Sequence, residues 1–521
     1  MPMLRLTAAV VLVGLAGSAG GAQLVDSVKA QRLDEVIELL AAGADADARA
    51  ADGTSALHWA AYYENADLVD RLIAAAADVD ARNDYGSTPL AEAALNGNVA
   101  IVASLLRAGA DPSLPNGDGQ TPLMIVSRSS NVEAARLMIE HGADINARET
   151  WRGQTALMWA AAQSQPAVVR LLIEHGADVD ARSFVNDWAR QVSAEARRHY
   201  RPSGGLTPLL FAAREGCVEC IRALVEGGAD VELTDPDGVT PLFLAIDNFH
   251  YDTAKTLIEA GALPNRWDRW GRTPLYGAVD THTIPRGGRP DRPSLDRTTA
   301  LEIVEMLLAA GANPNVQLKN SLPHRSIVDD RGCDNMLNQP GPTPLLRAAK
   351  AFDVPAMRLL IAHGAAIELP NAAGITPLMA AAGLGSVECD TRGPSDRVPQ
   401  YYDDDIERQS IAALTVLLEA GADLNARART GGQGANRGQT ALHGAAFWGW
   451  NDVVEFLVER GAVINASDAQ ERTPLHSALG RAGGNGRGGR IDVFEDTAEL
   501  LVELCRRSDG CVLPEVEPGL P

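Results

Sequence analysis

Residues 86–111 read Gly-Ser-Thr-Pro-Leu-Ala-Glu-Ala-Ala-Leu-Asn-Gly-Asn-Val-Ala-Ile-Val-Ala-Ser-Leu-Leu-Arg-Ala-Gly-Ala-Asp. A hydroxyl residue followed by proline is a helix start, because the hydroxyl accepts an orphan backbone N–H and proline suits the first helical position. The alanine-rich stretch after it predicts a short helix that a neighbour can approach closely. The paired aliphatics Leu105-Leu106 predict a second helix, which Gly109 ends in the left-handed conformation other residues avoid. The Ala-Asp run beyond it predicts an extended turn.

The opening phrase returns along the whole chain. Gly-x-Thr-Pro-Leu recurs at 119–123, 205–209, 238–242, 271–275, 341–345 and 374–378, with alanine for proline at Ala56, Ala156 and Ala441. Its Ser/Thr positions are 55, 88, 121, 155, 207, 240, 273, 343, 376, 440 and 473, and six of the gaps are 33 residues and one is 34. The closing phrase returns as Gly142-Ala143-Asp144, Gly176-Ala177-Asp178 and Gly228-Ala229-Asp230. One helix pair cannot bury its own apolar face, so a period of this length predicts stacked units sharing a continuous core.

The residues resemble the ankyrin-repeat family, whose Thr-Pro-Leu-His-x-Ala-Ala phrase survives nearly intact at Ala56-Leu57-His58-Trp59-Ala60-Ala61 and at Thr440–Ala446. The resemblance covers nearly all of residues 24–505 and implies an all-α solenoid of helix-turn-helix units with finger turns. About eleven repeats carry the phrase, behind an N-terminal capping helix pair that lacks it. Elsewhere the histidine position holds Met124, Met158, Leu210, Phe243, Tyr276 or Met379, which weakens a local hydrogen-bond network and keeps the apolar fill.

The period breaks at two kinds of site. Insertions 183–203, 318–340 and 428–436 fall in the turns between repeats; 281–297, 386–406 and 480–490 fall between the two helices of a repeat. Loops tolerate such additions without disturbing the stack. Asp187 to Tyr200 could carry a short helix within the first. By the family analogy, the between-repeat insertions project beside the concave ligand-holding face.

The first 22 residues read as a secretory signal: Arg5, an apolar stretch from Leu6 to Ala16, then small residues and a cut after Ala22. An uncleaved anchor is the alternative, although the apolar stretch is short for a span of roughly 20 residues. The expected destination is periplasmic or secreted, with a bacterial envelope favoured. Losing Arg5 moves the formal charge from -22 to -23, which disfavours nucleic acid as a partner. Residues 506–521 are read as a C-terminal tail.

Six cysteines in an oxidising compartment suggest disulfides. Cys505 and Cys511 would pin the C-terminal cap, and Cys217 with Cys220 forms a CxxC at the start of a second helix. A structural disulfide or two inert thiols are favoured there over a redox-active pair, because no thioredoxin-like alternation surrounds it. Cys333 and Cys389 stand singly in insertions.

No HExxH, GxSxG, Walker loop or kinase signature occurs, so a non-enzymatic role without cofactor or metal is expected. Gly484 to Gly489 matches GxGxxG without a preceding strand, and Asp403-Asp404-Asp405-Ile406-Glu407 lacks EF-hand spacing. Asn465-Ala466-Ser467 is a sequon of consequence only in a eukaryotic lumen.

By the resemblance, the residues after each Ala-Ala and around the finger glycine point away from the stack. Aromatics gather there: Tyr62, Tyr63, Tyr85, Trp151, Trp270, Phe447 and Trp448, with Trp267 just outside on a finger. These are the expected anchors for a protein partner, since exposed aromatics dominate interface energetics. Trp59 and Trp159 are read as core. The function expected is a monomeric, exported protein-binding scaffold; a thiol-disulfide protein or a protective envelope protein are the alternatives.

Overall fold

The computed structural model describes residues 21–186, 203–283, 296–320, 340–385, 406–429, 437–480, 493–508 and 510–512. These fall into two compact units, Met1–Asp237 and Gly238–Pro521.

Unit 1 opens with helix 21–29 and helix Leu33–Ala41. Five helix pairs follow, with first helices at Ala56–Tyr62, Pro89–Asn96, Pro122–Val126, Ala156–Ala162 and Pro208–Glu215. First helices pack on first helices and second on second, which builds the stack. Unit 2 repeats the plan with first helices at Pro241–Asp247, Pro274–Thr283, Pro344–Lys350, Pro377–Ala381, Ala441–Trp448 and Pro474–Ala478.

Each of the eleven hydroxyl residues found in the sequence stands directly before a first helix. Thr88 is typical: its hydroxyl accepts the Ala91 N–H at 3.2 Å, with Pro89 in the first turn. Alanines at the helix crossings (Ala60, Ala61, Ala93, Ala94, Ala160, Ala161) are wholly buried, so backbones approach closely. The second helices fill the space behind them with Ile101, Val102 and Leu105. Their own starts are capped by Asn65, Asn98, Asn131 and Asp353, whose side chains accept the amide three residues on.

Where the third helical residue is histidine, the cap becomes a link between repeats. His58 Nδ1 accepts the Ser55 N–H at 3.2 Å, which leaves Nε2 to donate to the Ser87 carbonyl of the next repeat at 2.9 Å. His443 does the same with Thr440 and Arg472. Burial holds both rings neutral, and the His443 pKa is lowered to about 4.

The fingers are tight turns held by one side chain. Asn83 Oδ1 accepts the Tyr85 and Ser87 amides, and Asn116, Asp268, Asn371 and Asp468 act alike. The closing backbone bonds run from Asn83 N to Ser87 O and from Gly86 N to Asn83 O. The insertions at 318–340 and 428–436 keep both bonds. Leu318 donates to Pro342 and Gly341 to Leu318; Ala428 donates to Gln439 and Gly438 to Ala428. At 183–203 Ser183 donates to Leu206, and Val185–Asn186 pairs antiparallel with Ser203–Gly204, the one strand pair among the described residues. In all three the turn-holding Asn or Asp is absent, replaced by Ser183, Leu318 or Ala428. At Leu318 and Ala428 the base of the turn is unchanged, and at Ser183 its second bond moves by one residue, Gly205 donating to Phe184.

The three helix-to-helix insertions are likewise flanked by the two helices of one repeat, as at Pro274–Thr283 and Ala300–Ala309. Gly21 and Ala22 are helical, in a run that continues through residue 29. The last helix, Glu495–Arg507, continues past Cys505 because its amphipathic face still buries Leu501 and Cys505.

Candidate interaction surface

In unit 1 the fingertips form a hydrogen-bonded series. Gly117 N–H donates to the Tyr85 carbonyl at 2.8 Å, Thr150 to Asp118 at 3.0 Å and Phe184 to Arg152 at 2.6 Å. Behind the tips, Arg82 reaches the Pro115 carbonyl at 2.6 Å and Arg148 the Arg182 carbonyl at 2.5 Å. Tyr85 is 72% exposed on this series and Trp151 62%. Phe184 and Val185 continue it as exposed apolar side chains. Phe184 lies across Gly153, where an added Cβ would come within 2.5 Å of its ring. Both residues sit at the start of an insertion, outside the repeat phrase, so only their apolar character in a polar segment signalled them.

The first-helix ends of unit 1 add a second exposed pair, Tyr62 and Leu95. Asn96 Nδ2 donates to the Tyr62 carbonyl at 2.9 Å and ties the two helix ends together. Tyr63 is half-buried instead, stacked on Trp59 at 5.7 Å, with its hydroxyl donating to the Lys29 carbonyl. Trp59 and Trp159, expected in the core, are only half-buried, and a cation sits over each: Lys29 at 5.1 Å and Arg128 at 5.2 Å.

Unit 2 divides the remaining candidates. Trp267 is exposed beneath Lys319 Nζ at 4.0 Å, and Trp270 is half-buried with Arg272 at 4.9 Å from its ring. Trp448 departs from the expectation of an exposed anchor. It is 9% exposed, stacks on Trp450 at 6.2 Å and donates its indole N–H to the Gly383 carbonyl at 2.9 Å. The cause is Gly383: its φ of +83° ends the preceding first helix, and a Cβ there would lie 2.6 Å from the Trp448 ring. Phe447 is half-buried, edge-on to Trp448 at 5.5 Å.

The sulfur atoms of Cys217 and Cys220 lie at disulfide distance, as do those of Cys505 and Cys511. Cys217 takes the place that Asn65, Asn98 and Asn131 hold elsewhere, its Sγ accepting the Cys220 N–H at 3.2 Å. Both members of the CxxC are buried, which denies an exchange partner direct access to either sulfur. Cys333, Cys389, the GxGxxG at 484–489, Asp403 to Asp405 and the segment 187–200 lie outside the described residues.

The recurrent aspartates after Gly-Ala accept the amide two residues on, as Asp111 does from Ser113 at 2.8 Å and Asp178 from Asp180 at 3.1 Å, and the acids at that second position reach the next repeat. Asp47 Oδ1 accepts the Asp78 amide at 2.6 Å, Asp80 that of Asp111 at 2.9 Å and Asp180 that of Asp230 at 3.0 Å. Burial, with the carboxylates of Asp111 and Asp78, raises the Asp80 pKa. Among the described residues no group of three His, Cys, Asp or Glu is placed to hold a metal, and no helix is long and apolar enough to cross a membrane.

The family model for ankyrin repeats in three copies matches residues 24–116, 93–183, 190–268 and 406–503. With more than half its length matched, the chain belongs to the ankyrin-repeat family, which is generally a non-enzymatic protein–protein interaction module. Its relatives include Rabankyrin-5 of Mus musculus, 36% identical over 92 residues, which is 17% of this chain and 8% of that protein. Rabankyrin-5 of Homo sapiens is 39% identical over 79 residues, 14% of this chain and 7% of that protein. Neurogenic locus notch homolog protein 2 of Homo sapiens is 37% identical over 106 residues, 20% of this chain and 4% of that protein. The chain spans less than a tenth of the length of these curated relatives.

Proposed function

We propose that the chain acts outside the cytoplasm as a protein-binding scaffold, and that unit 1 holds the partner along its fingertips. The observation that carries this reading is the row of Tyr85, Trp151, Phe184 and Val185, large apolar side chains exposed on a rigid, hydrogen-bonded series. Such residues combine apolar area with little conformational freedom to lose, which is the make-up of interface hot spots. Tyr62 and Leu95 extend the surface onto the first helices, the face that holds ligands in ankyrin arrays. Export rests on the signal-like first 22 residues.

The test is a crosslinking pull-down with residues 23–521 in the native extracytoplasmic fraction, beside a Tyr85→Ala, Trp151→Ala, Phe184→Ala variant. A partner captured by the parent and lost by a folded variant supports this surface. A partner kept by the variant moves the site to unit 2 or the insertions. Reproducible capture of nothing favours the protective envelope role.

A further inference from the structure

The first helix Pro344–Lys350 carries two cations into the interior of unit 2. Arg347 is 0% exposed, and Lys350, one turn further along the same face, is also buried. In the adjoining repeats the position of Arg347 is taken by Gly277 and Ala380, residues with no polar side-chain atom. The pattern of the repeat therefore does not call for a charge here.

Asp280, on the preceding first helix, meets only part of the guanidinium. Its Oδ1 accepts Arg347 Nε at 2.7 Å. Arg347 Nη1 and Nη2 are both buried, and neither has a hydrogen-bond partner among the described residues. Those two nitrogens carry four of the five N–H donors of the side chain. Buried charged donors are expensive to leave unmet, and a shortfall of this kind in a native interior marks a further acceptor that no described residue supplies.

The geometry points to a buried anion site: Arg347 binds a carboxylate-type monoanion through Nη1 and Nη2. The free edge of the guanidinium is the fork that a carboxylate fills with two parallel bonds. A dianion fits poorly, because the Asp280 carboxylate is already held 2.7 Å from the same group and would repel it. Lys350 adds positive charge on the same helix face, three residues on, where side chains are neighbours. The site is independent of the fingertip surface, which lies in unit 1.

Formate is the probe. Thermal unfolding of residues 23–521 is followed in 0–20 mM sodium formate at constant ionic strength, with binding read separately by saturation-transfer NMR on formate. The expected result is a saturable rise in the midpoint of roughly 2–4 °C, abolished in Arg347→Met and weakened in Arg347→Lys, which keeps the charge and loses the fork. Asp280→Asn should tighten formate binding several-fold. An acidic peptide added in a second arm distinguishes the source: displacement of formate assigns the carboxylate to a peptide, and undisturbed formate assigns it to a free anion. No saturable formate effect in the parent protein overturns the proposal whether or not the variants fold. A formate effect of full size in Arg347→Met overturns it as well.

Discussion

Glu407 accepts the backbone N–H of Asp452 at 2.6 Å, so a side chain of one repeat caps the second helix of the next. The helix Asn451–Glu459 needs this, because Trp450 occupies its own N-cap position and offers no acceptor. Glu407 can reach because its helix, Ile406–Glu419, runs 14 residues where most second helices of the chain have nine. Replacing Glu407 with Ala should cost about 1 kcal/mol of stability, the usual worth of an N-cap. Denaturant unfolding measures it, and a loss under a few tenths would show that water caps the helix equally well.

The histidine links make stability depend on pH with a definite sign. The His443 pKa falls from 6.5 to about 4 on folding, so the unfolded chain binds the proton more readily. Its contribution is complete above pH 6.5 and is lost as the pH falls from there toward 4. The shift is worth at most about 3 kcal/mol. Unfolding midpoints measured between pH 7.5 and 4 should decline, and His443→Gln should flatten that decline. A parallel decline in the variant would place the titrating group elsewhere.

Trp448 and Tyr85 separate packing from exposure. Trp448→Ala should destabilise by about 3–5 kcal/mol, as for other buried aromatics. Tyr85→Ala should stay within about 0.5 kcal/mol of the parent. Thermal or chemical unfolding of both variants provides the check, and equal small effects would mean that the Trp448 pocket is not packed.

Burial of the CxxC sets its reactivity. Under mild reductant, alkylation of Cys217 and Cys220 should be slow in the folded protein and complete once denaturant is added. Mass spectrometry reads the labels directly. Rapid labelling of the native protein would revive the thiol-disulfide reading of this pair.

Much of this was legible in the sequence because the repeat is written in residues with single structural meanings. Thr88 and Pro89 can begin a helix, Gly109 can end one, and their spacing sets the unit. Exposed fingertips such as Tyr85 and Trp151 followed from register, since they stand one and two residues before the finger glycines Gly86 and Gly153. Trp448 escaped that logic, because its burial depends on a glycine 65 residues earlier. Arg347 escaped it too: a cation on a first helix reads as solvated until Asp280 and the buried face around it are seen. Phe184 and Val185 lay in an insertion, where no register exists to assign them a direction.

The insertion fingers have an engineering consequence. Between Ala428 and Gly438 two backbone hydrogen bonds close the neck of the finger. The neck is thus a socket into which a foreign peptide can be spliced, and the same holds between Leu318 and Gly341. The scaffold can acquire new specificities by exchanging cargo at these sockets while every helix stays where it is.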